Sequence, residues 1–405
     1  MRVTDVKAVL LTGPYSDDPY ICALRPRRSA AFIEITTDTE HIGWGETYAG
    51  YFFPEAVPEI VEFFKPVLVG QAPDDVHLLW NRMYQCGNYW SRVGLGTAVI
   101  NGIEAALWDL RGKAHGLPVY ELLGGRKHDR LPCYASGGPS NYPQSELAKK
   151  LDFYLSLGFT GVKLGAGSYS REQGRFTPRS AAEAADFEGD KVAFARRHVG
   201  PDVRLMLDGH MGNNSRTTWD LGTAQAVMKA VEPAGLFFFE EPLHYTDPWG
   251  YSELCRSSAV PIAGGECLTA MYEWRVFAEH DCFDIGQPDA AWTGGIGEFM
   301  RVAALLEGRG RKIATHAAGA GGALMQNVHC AFACGNTLIC EVLPALGGIH
   351  RDMLADGAFR FENGDVLPPL APGLGLNLTD EVKNRYPFVR GSGEFNSVPG
   401  KVLVD

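Results

Sequence analysis

The sequence is short of basic residues. It carries 37 Lys and Arg against 48 Asp and Glu, a formal net charge of −11. A nucleic-acid binder needs a basic stripe to meet phosphates, so no nucleic-acid partner is expected. Long apolar runs are missing too. No stretch approaches the ~20 residues of a bilayer span, and "MRVTDVKAVLLTGPYSDDPY" (1–20) has no signal-peptide core, so no membrane partner is expected either. The nine cysteines are odd in number, irregularly spaced and without a C-x-x-C. The nearest pair, in "CAFAC" (330–334), reads as small apolar residues on a helix. That pattern excludes a disulfide framework and fits a reducing cytoplasm. What is present is bulk: 45% of 405 residues are hydrophobic, ample for a large core and two domains.

The chain changes texture along its length. "AAFIEITTD" (30–38) and "IGWGETY" (42–48) alternate like the two strands of a hairpin. Helical periodicity follows in "PEAVPEIVEFFKPVL" (54–68), "DDVHLLWNRMYQ" (74–85) and "GTAVINGIEAALWDLRGKAHG" (96–116). Residues 1–130 therefore predict an α+β domain. From 131 to 355, short apolar runs alternate with helical windows. The runs are "GVKL" (161–164), "VRLML" (203–207), "GLFFF" (235–239), "VPIAG" (260–264), "FDIGQ" (283–287), "KIAT" (312–315) and "LIC" (338–340). This alternation predicts a parallel α/β barrel of about eight units. The polar segment 165–190 is expected to lie over its mouth. Residues 356–405 read as extended chain and turns that return to the first domain.

Chemistry-bearing residues follow the apolar runs. Lys163 lies within the first. Asp208 and His210 follow the second, Glu240 and Glu241 the third, and Glu266 the fourth. Gln287 and Asp289, then His316, then Glu341 follow the last three. A barrel gathers its strand C-termini on one face, so these groups should converge there. Asp208, Glu240 and Glu266 on successive strands suit a hard divalent cation, Mg²⁺ with Mn²⁺ as a substitute. The plainer alternative is that each acid caps a helix or pairs with a surface lysine. Asp289 and His316 fall on adjacent strand ends, where a carboxylate fixes an imidazole's tautomer and raises its basicity.

These features resemble the mandelate racemase/muconate lactonizing branch of the enolase superfamily. The matching segments include "GWGE" (43–46), "ALWDLRGKAHGLPVYELLGG" (106–125), "LDGH" (207–210), "FEEP" (239–242), "AGGE" (263–266), "IGQPDAAWTGGIGE" (285–298), "ATH" (314–316) and "PGLGL" (372–376). The resemblance implies an α/β fold: a modified TIM barrel, (β/α)₇β, with an α+β N-terminal capping domain completed by the C-terminal segment. It implies Mg²⁺ on Asp208, Glu240 and Glu266, an Asp289–His316 dyad, and removal of a proton α to a carboxylate. Racemase-like members carry K-x-K at the second barrel strand. Here Lys163 matches the first lysine, but Gly165 stands at the second. The D-x-H arrangement of Asp208 and His210 is closer to galactonate and mannonate dehydratases.

The implied reaction is loss of water from a sugar acid to give a 2-keto-3-deoxy acid. His316 is the expected base, His210 the acid at the leaving hydroxyl, and Lys163 a partner for the substrate carboxylate. Glu341 is expected to be protonated, as a hydrogen-bond donor must be. An epimerase, racemase or lactone cycloisomerase is the alternative. The loops 13–29 and 48–56 should contact substrate, with Tyr20, Arg25, Tyr51 and Phe52 as candidates. A cytoplasmic homo-oligomer, dimer or octamer, acting on a polyhydroxylated carboxylate completes the expectation.

Overall fold

The computed structural model describes residues 1–23, 26–138, 140–167, 169–170, 175–176, 178–213 and 218–393. Its first domain is an antiparallel sheet backed by helices. Strands β1 (Val3–Gly13), β2 (Arg28–Thr37) and β3 (Ile42–Thr47) pair in that order. The hairpin expected from alternation is β2–β3, with Ile33 opposite Gly45. Helices α1 (Val57–Leu68), α2 (Val76–Gly87) and α3 (Leu95–His115) cover one face. Val61, Phe64, Leu79, Met83, Ile103 and Leu107 form their common core with Ile33 and Ile35. The three- and four-residue spacing of these residues is what builds that stripe.

The second domain is a closed parallel barrel. Its strands are β4 (Leu131–Ser136), β5 (Gly161–Gly165), β6 (Arg204–Asp208), β7 (Phe238–Glu240), β8 (Ile262–Gly264), β9 (Ile285–Gly286), β10 (Lys312–Ala314) and β11 (Thr337–Val342). They neighbour one another in chain order, and β11 pairs with β4 to close the ring. Helices α4 (Gln144–Ser156), α5 (Ala181–Val199), α6 (Leu221–Val231), α7 (Pro248–Ser257), α8 (Ala270–Glu279), α9 (Ile296–Glu307) and α10 (Gly321–Ala333) follow successive strands from β4 to β10. None of the helices among the described residues is long and apolar enough to cross a membrane.

Three details differ from the sequence reading. The first barrel strand, β4, precedes the first apolar run quoted above. A proline directly after Leu131 interrupts its pattern, so alternation is hard to see there. The polar stretch 165–190 is not all loop. Its end belongs to α5, which starts at a reciprocal cap: Ser180 Oγ accepts from Glu183 N, and Glu183 Oε2 accepts from Ser180 N. The C-terminal segment forms a hairpin, β12 (Arg360–Glu362) with β13 (Asp365–Leu367), and a short helix α11 (Asp380–Arg385) capped by Thr379. β13 pairs antiparallel with β4. Beyond α11 the chain returns to β1, with Leu11 bridging to Pro387.

Buried carboxylates join the two domains. Glu46, from β3, accepts Ala320 N (2.6 Å) and Ala323 N (2.7 Å) at the start of α10. Glu104, from α3, accepts Ile296 N (2.7 Å) and Gly297 N (2.9 Å) at the start of α9, and Trp108 Nε1 (3.0 Å). Asp109 accepts Trp44 N (2.9 Å) and Leu374 N (2.7 Å) and pairs with Lys113 (2.6 Å). Each acid of the first two meets backbone N–H groups that a helix start leaves without partners.

Candidate active site at the barrel mouth

Strand alternation arranges the barrel interior in layers. One layer is Tyr134, Met206, Phe238, Ala263, Ile285, Ala314 and Ile339, which form a closed apolar cluster. Lys163 pairs in register with Met206 and belongs to the same layer. Two residues further along each strand, on the same face, come Ser136, Gly165, Asp208, Glu240, Gly265, Gln287, His316 and Glu341. Gly265, at φ +111°, turns the chain so that Glu266 reaches the acid cluster. The strand-end convergence expected from sequence is therefore present. Its acids do not pair with surface lysines.

One ligand atom from each of Asp208, Glu240 and Glu266 lies within 4.8 Å of the other two. Glu240 Oε1 is buried and accepts no hydrogen bond among the described residues, while Asp208 Oδ2 and Glu266 Oε2 face only the side chains of Lys163 and His316. Unsatisfied buried anions are costly, and an all-oxygen set of this kind fits a hard divalent cation. Lys163 Nζ lies under the cluster, 2.9 Å from Asp208 Oδ2, 2.8 Å from Glu240 Oε2 and 2.8 Å from Glu341 Oε1. Burial opposes the ammonium, but Asp208, Glu240 and Glu341 hold its pKa well above the usual lysine range. Burial and the neighbouring Asp208 push the Glu240 carboxyl well up.

The two histidines sit differently. His316 is almost buried, with its side chain 6% exposed, and its Nδ1 lies 2.8 Å from Asp289 Oδ2. Its Nε2 faces Glu266 Oε2 at 3.5 Å. Burial pulls the imidazole down, but Glu266, Asp289 and Glu341 outweigh it and hold it up at about 10. Asp289 is itself fixed. Its Oδ1 accepts from Ala291 N and from Asn327 Nδ2, both at 2.8 Å. His210 is more open, with its side chain 45% exposed and Nδ1 3.0 Å from Asp208 Oδ1. Burial lowers its pKa, while Asp208 raises it to about 9. His210 and Glu241 both hold positive φ, +49° and +41°. A β-carbon at Gly209 would lie 2.5 Å from Glu241 O, so only glycine fits between these two strand ends.

One expectation fails. Glu341 is not a neutral donor. Burial would raise its carboxyl, but Lys163 and His316 hold it down at about 2, and its Oε2 accepts from Ala317 N at 2.9 Å. The proximity of Lys163 in space, invisible along the chain, decides this.

The capping-domain candidates divide. Tyr51 and Phe52 belong to an aromatic cluster with Tyr48 and Trp292, with ring centroids 4.9–6.0 Å apart. Tyr48 continues this cluster to His316, at 5.6 Å. Tyr20 instead packs against Tyr142 and Phe153, the latter on α4. Arg25 lies outside the described residues. Sequence reading did not single out Tyr48, Trp292 or Asn327. The run of aromatics from Tyr48 to Phe53 was a usable signal for the first. Nothing local marks Asn327, which acts across 38 residues of chain.

Comparison with known proteins follows the same division of the chain. Residues 9–124 match the mandelate racemase/muconate lactonizing enzyme N-terminal domain, and residues 146–382 match the enolase C-terminal domain-like family. An arabinonate dehydratase of Saccharolobus solfataricus is 31% identical over 358 residues, 87% of this chain and 89% of that one. The crystal structure of L-talarate dehydratase from Polaromonas sp. JS666, complexed with Mg and L-glucarate, aligns with a TM-score of 0.79 at 29% identity, covering 96% of this chain and 98% of that one. The 3,6-anhydro-D-galactonate cycloisomerase of Zobellia galactanivorans aligns with a TM-score of 0.81 at 27% identity, covering 96% of this chain and all of that one. With both domains matched, the chain belongs to the mandelate racemase/muconate lactonizing enzyme family of the enolase superfamily.

Proposed function

We propose that this chain is a Mg²⁺-dependent dehydratase of a sugar acid, yielding a 2-keto-3-deoxy acid. The observation that carries the reading is the pair of histidines around the acid cluster: a dyad-held His316 and a more open His210, with glycine at 165. Asp208, Glu240 and Glu266 would hold the cation. When bound, it supplies electrostatic stabilisation for the negative charge that grows on the substrate carboxylate.

With Glu266 engaged by the cation, the largest of the charges that hold His316 protonated is offset, and neutral His316 then takes the C2 proton at Nε2, since Asp289 engages Nδ1 and sets the tautomer. Lys163 remains an ammonium and balances charge at the carboxylate, and Glu341, as a carboxylate, holds Lys163 in place. His210 gives a proton to the departing C3 hydroxyl. The C2–H and C3–O bonds break, water leaves, and the enol tautomerises to the keto acid. Gly165 carries no base, so a second lysine cannot return a proton to the opposite face. Tyr51 and Phe52, with Tyr48 and Trp292, would flank the distal part of the substrate.

The test is a stereochemically complete library of aldonic and aldaric acids with Mg²⁺, read as 2-keto-acid formation with semicarbazide. A hit identifies the acid. Failure of every acid to yield a keto acid counts against dehydration. The aromatic cluster favours one second reading, isomerisation of a less polar or ring-containing acid, in keeping with the cycloisomerase neighbour. The same library followed by NMR in D₂O separates the two.

A further inference from the structure

The mouth contains a polar group that the proposed chemistry leaves idle. Gln287 follows β9 and is fully buried, at 0% exposure. Its backbone N–H donates to Gly264 O at 2.8 Å, which continues the ladder past the strand end. Its side chain has no such partner. Both Nε2 and Oε1 are buried without a hydrogen bond among the described residues. A folded chain rarely leaves both ends of an amide unsatisfied, and such a group calls for a water, an ion or a ligand as its partner. The carboxylates of Asp208, Glu240 and Glu266 would find their partner in the cation of the reading above. Gln287 is not, because a neutral amide with a donor at one end is a poor fourth member of an anionic cluster.

Its place in the ring narrows the ligand. β9 lies between β8 and β10, so Gln287 sits between Glu266 and His316. The side chains of those two converge, with Glu266 Oε2 and His316 Nε2 3.5 Å apart. A substrate spanning from the cation to the base must present its α-carbon to this gap. Besides the carboxylate, the departing hydrogen and C3, that carbon carries the α-hydroxyl, its one other polar group. A hydroxyl is also what a primary amide matches, since it can accept from Nε2 and donate to Oε1.

We propose that Gln287 binds the substrate's α-hydroxyl and selects α-hydroxy acids over α-deoxy acids. It is a positioning residue. Holding the hydroxyl turns the C2 hydrogen toward His316 Nε2. The inference rests on the sugar-acid reading above for its substrate class.

The test separates binding from folding. Gln287→Met keeps the length and removes both unpaired polar atoms. Its melting temperature should equal or exceed that of the wild type. Its kcat/KM on the acid found in the library screen should fall roughly 10- to 100-fold. Calorimetry with Mg²⁺ then compares arabinonate with its 2-deoxy analogue. The wild type should prefer the hydroxylated acid by about tenfold or more, and Gln287→Met should bind the two alike. Gln287→Asn, which keeps the amide on a shorter stem, should lose the preference as well, and it serves if the first variant fails to fold. A preference that survives both substitutions overturns the assignment. The library screen judges the dehydratase reading by itself, so a wild type that makes a keto acid while its variants keep the preference sinks only the role of Gln287.

Discussion

Buried acids in this chain fall into two groups with opposite treatment. At the domain interface, Glu46, Glu104 and Asp109 have each carboxylate oxygen engaged, mostly by backbone N–H groups. At the barrel mouth, Asp208 Oδ2 and Glu266 Oε2 face only the side chains of Lys163 and His316, and Glu240 Oε1 accepts nothing among the described residues. Both groups bear the cost of desolvation. In the first, backbone N–H groups offset part of that cost, and for Glu46 and Glu104 those groups belong to helix starts. The second is left for something that the chain does not supply. Satisfaction of hydrogen bonds, rather than burial or charge alone, separates structural acids from acids held ready for a ligand.

That contrast can be broken by substitution. The largest effect is expected at Glu240. Glu240→Gln should remove cation binding by calorimetry and lower turnover by at least about 10³-fold. Its cation-free melting temperature should not fall, because a carboxyl crowded by Asp208 has been neutralised. Retained activity would end the cation assignment. His316→Asn should slow C2 proton exchange in D₂O by roughly 10²- to 10⁴-fold, and persistent exchange would move the base elsewhere.

Glu104→Ala should do the reverse. It loses three hydrogen bonds, so stability should drop by about 3 kcal/mol in denaturant unfolding, at about 1 kcal/mol for each. The kcat of the folded fraction should be close to that of the wild type. A fall in kcat as deep as that of Glu240→Gln would erase the distinction.

The subtlest test uses pH. Burial is the main cause that pushes the Glu104 carboxyl up to about 7 from 4.5, against its hydrogen bonds. A raised folded-state pKa means the folded chain binds the proton more tightly. Its contribution is full below pH 4.5 and is lost as pH rises through 7. At 1.36 kcal/mol per unit, wild type should lose up to about 3 kcal/mol relative to Glu104→Gln across that window. Parallel stability curves for the two would show that the carboxyl titrates normally.

The barrel and its acid cluster were legible because each depends on a short local pattern: an apolar run, then a charged residue at its end. β4 was less legible since Pro132 interrupts its run. Glu46 stood out as part of "GWGE", yet its task, capping a helix of the other domain, spans 274 residues and leaves no local trace. Glu104 lies within a long buried helix and reads as an ordinary helix former. The charge state of Glu341 failed for the same reason, being set by Lys163 on another strand. Local pattern placed side chains on faces. It could not say which other faces they would meet.

The return of the chain to β1 bears on how the protein is made. β1 is an edge strand, and its outer side is met by the stretch around Tyr386–Val389: Thr12 N donates to Tyr386 O, and Val389 N donates to Thr12 Oγ1 across 377 residues. During synthesis β1 emerges long before the stretch that covers it near Thr12. Until then its free backbone groups can template pairing with a neighbouring chain. Losing the stretch around Tyr386–Val389 would bare the end of that edge near Thr12 while leaving its start paired with Gly70 and Gln71, so the aggregation risk of this fold lies at one end of one strand.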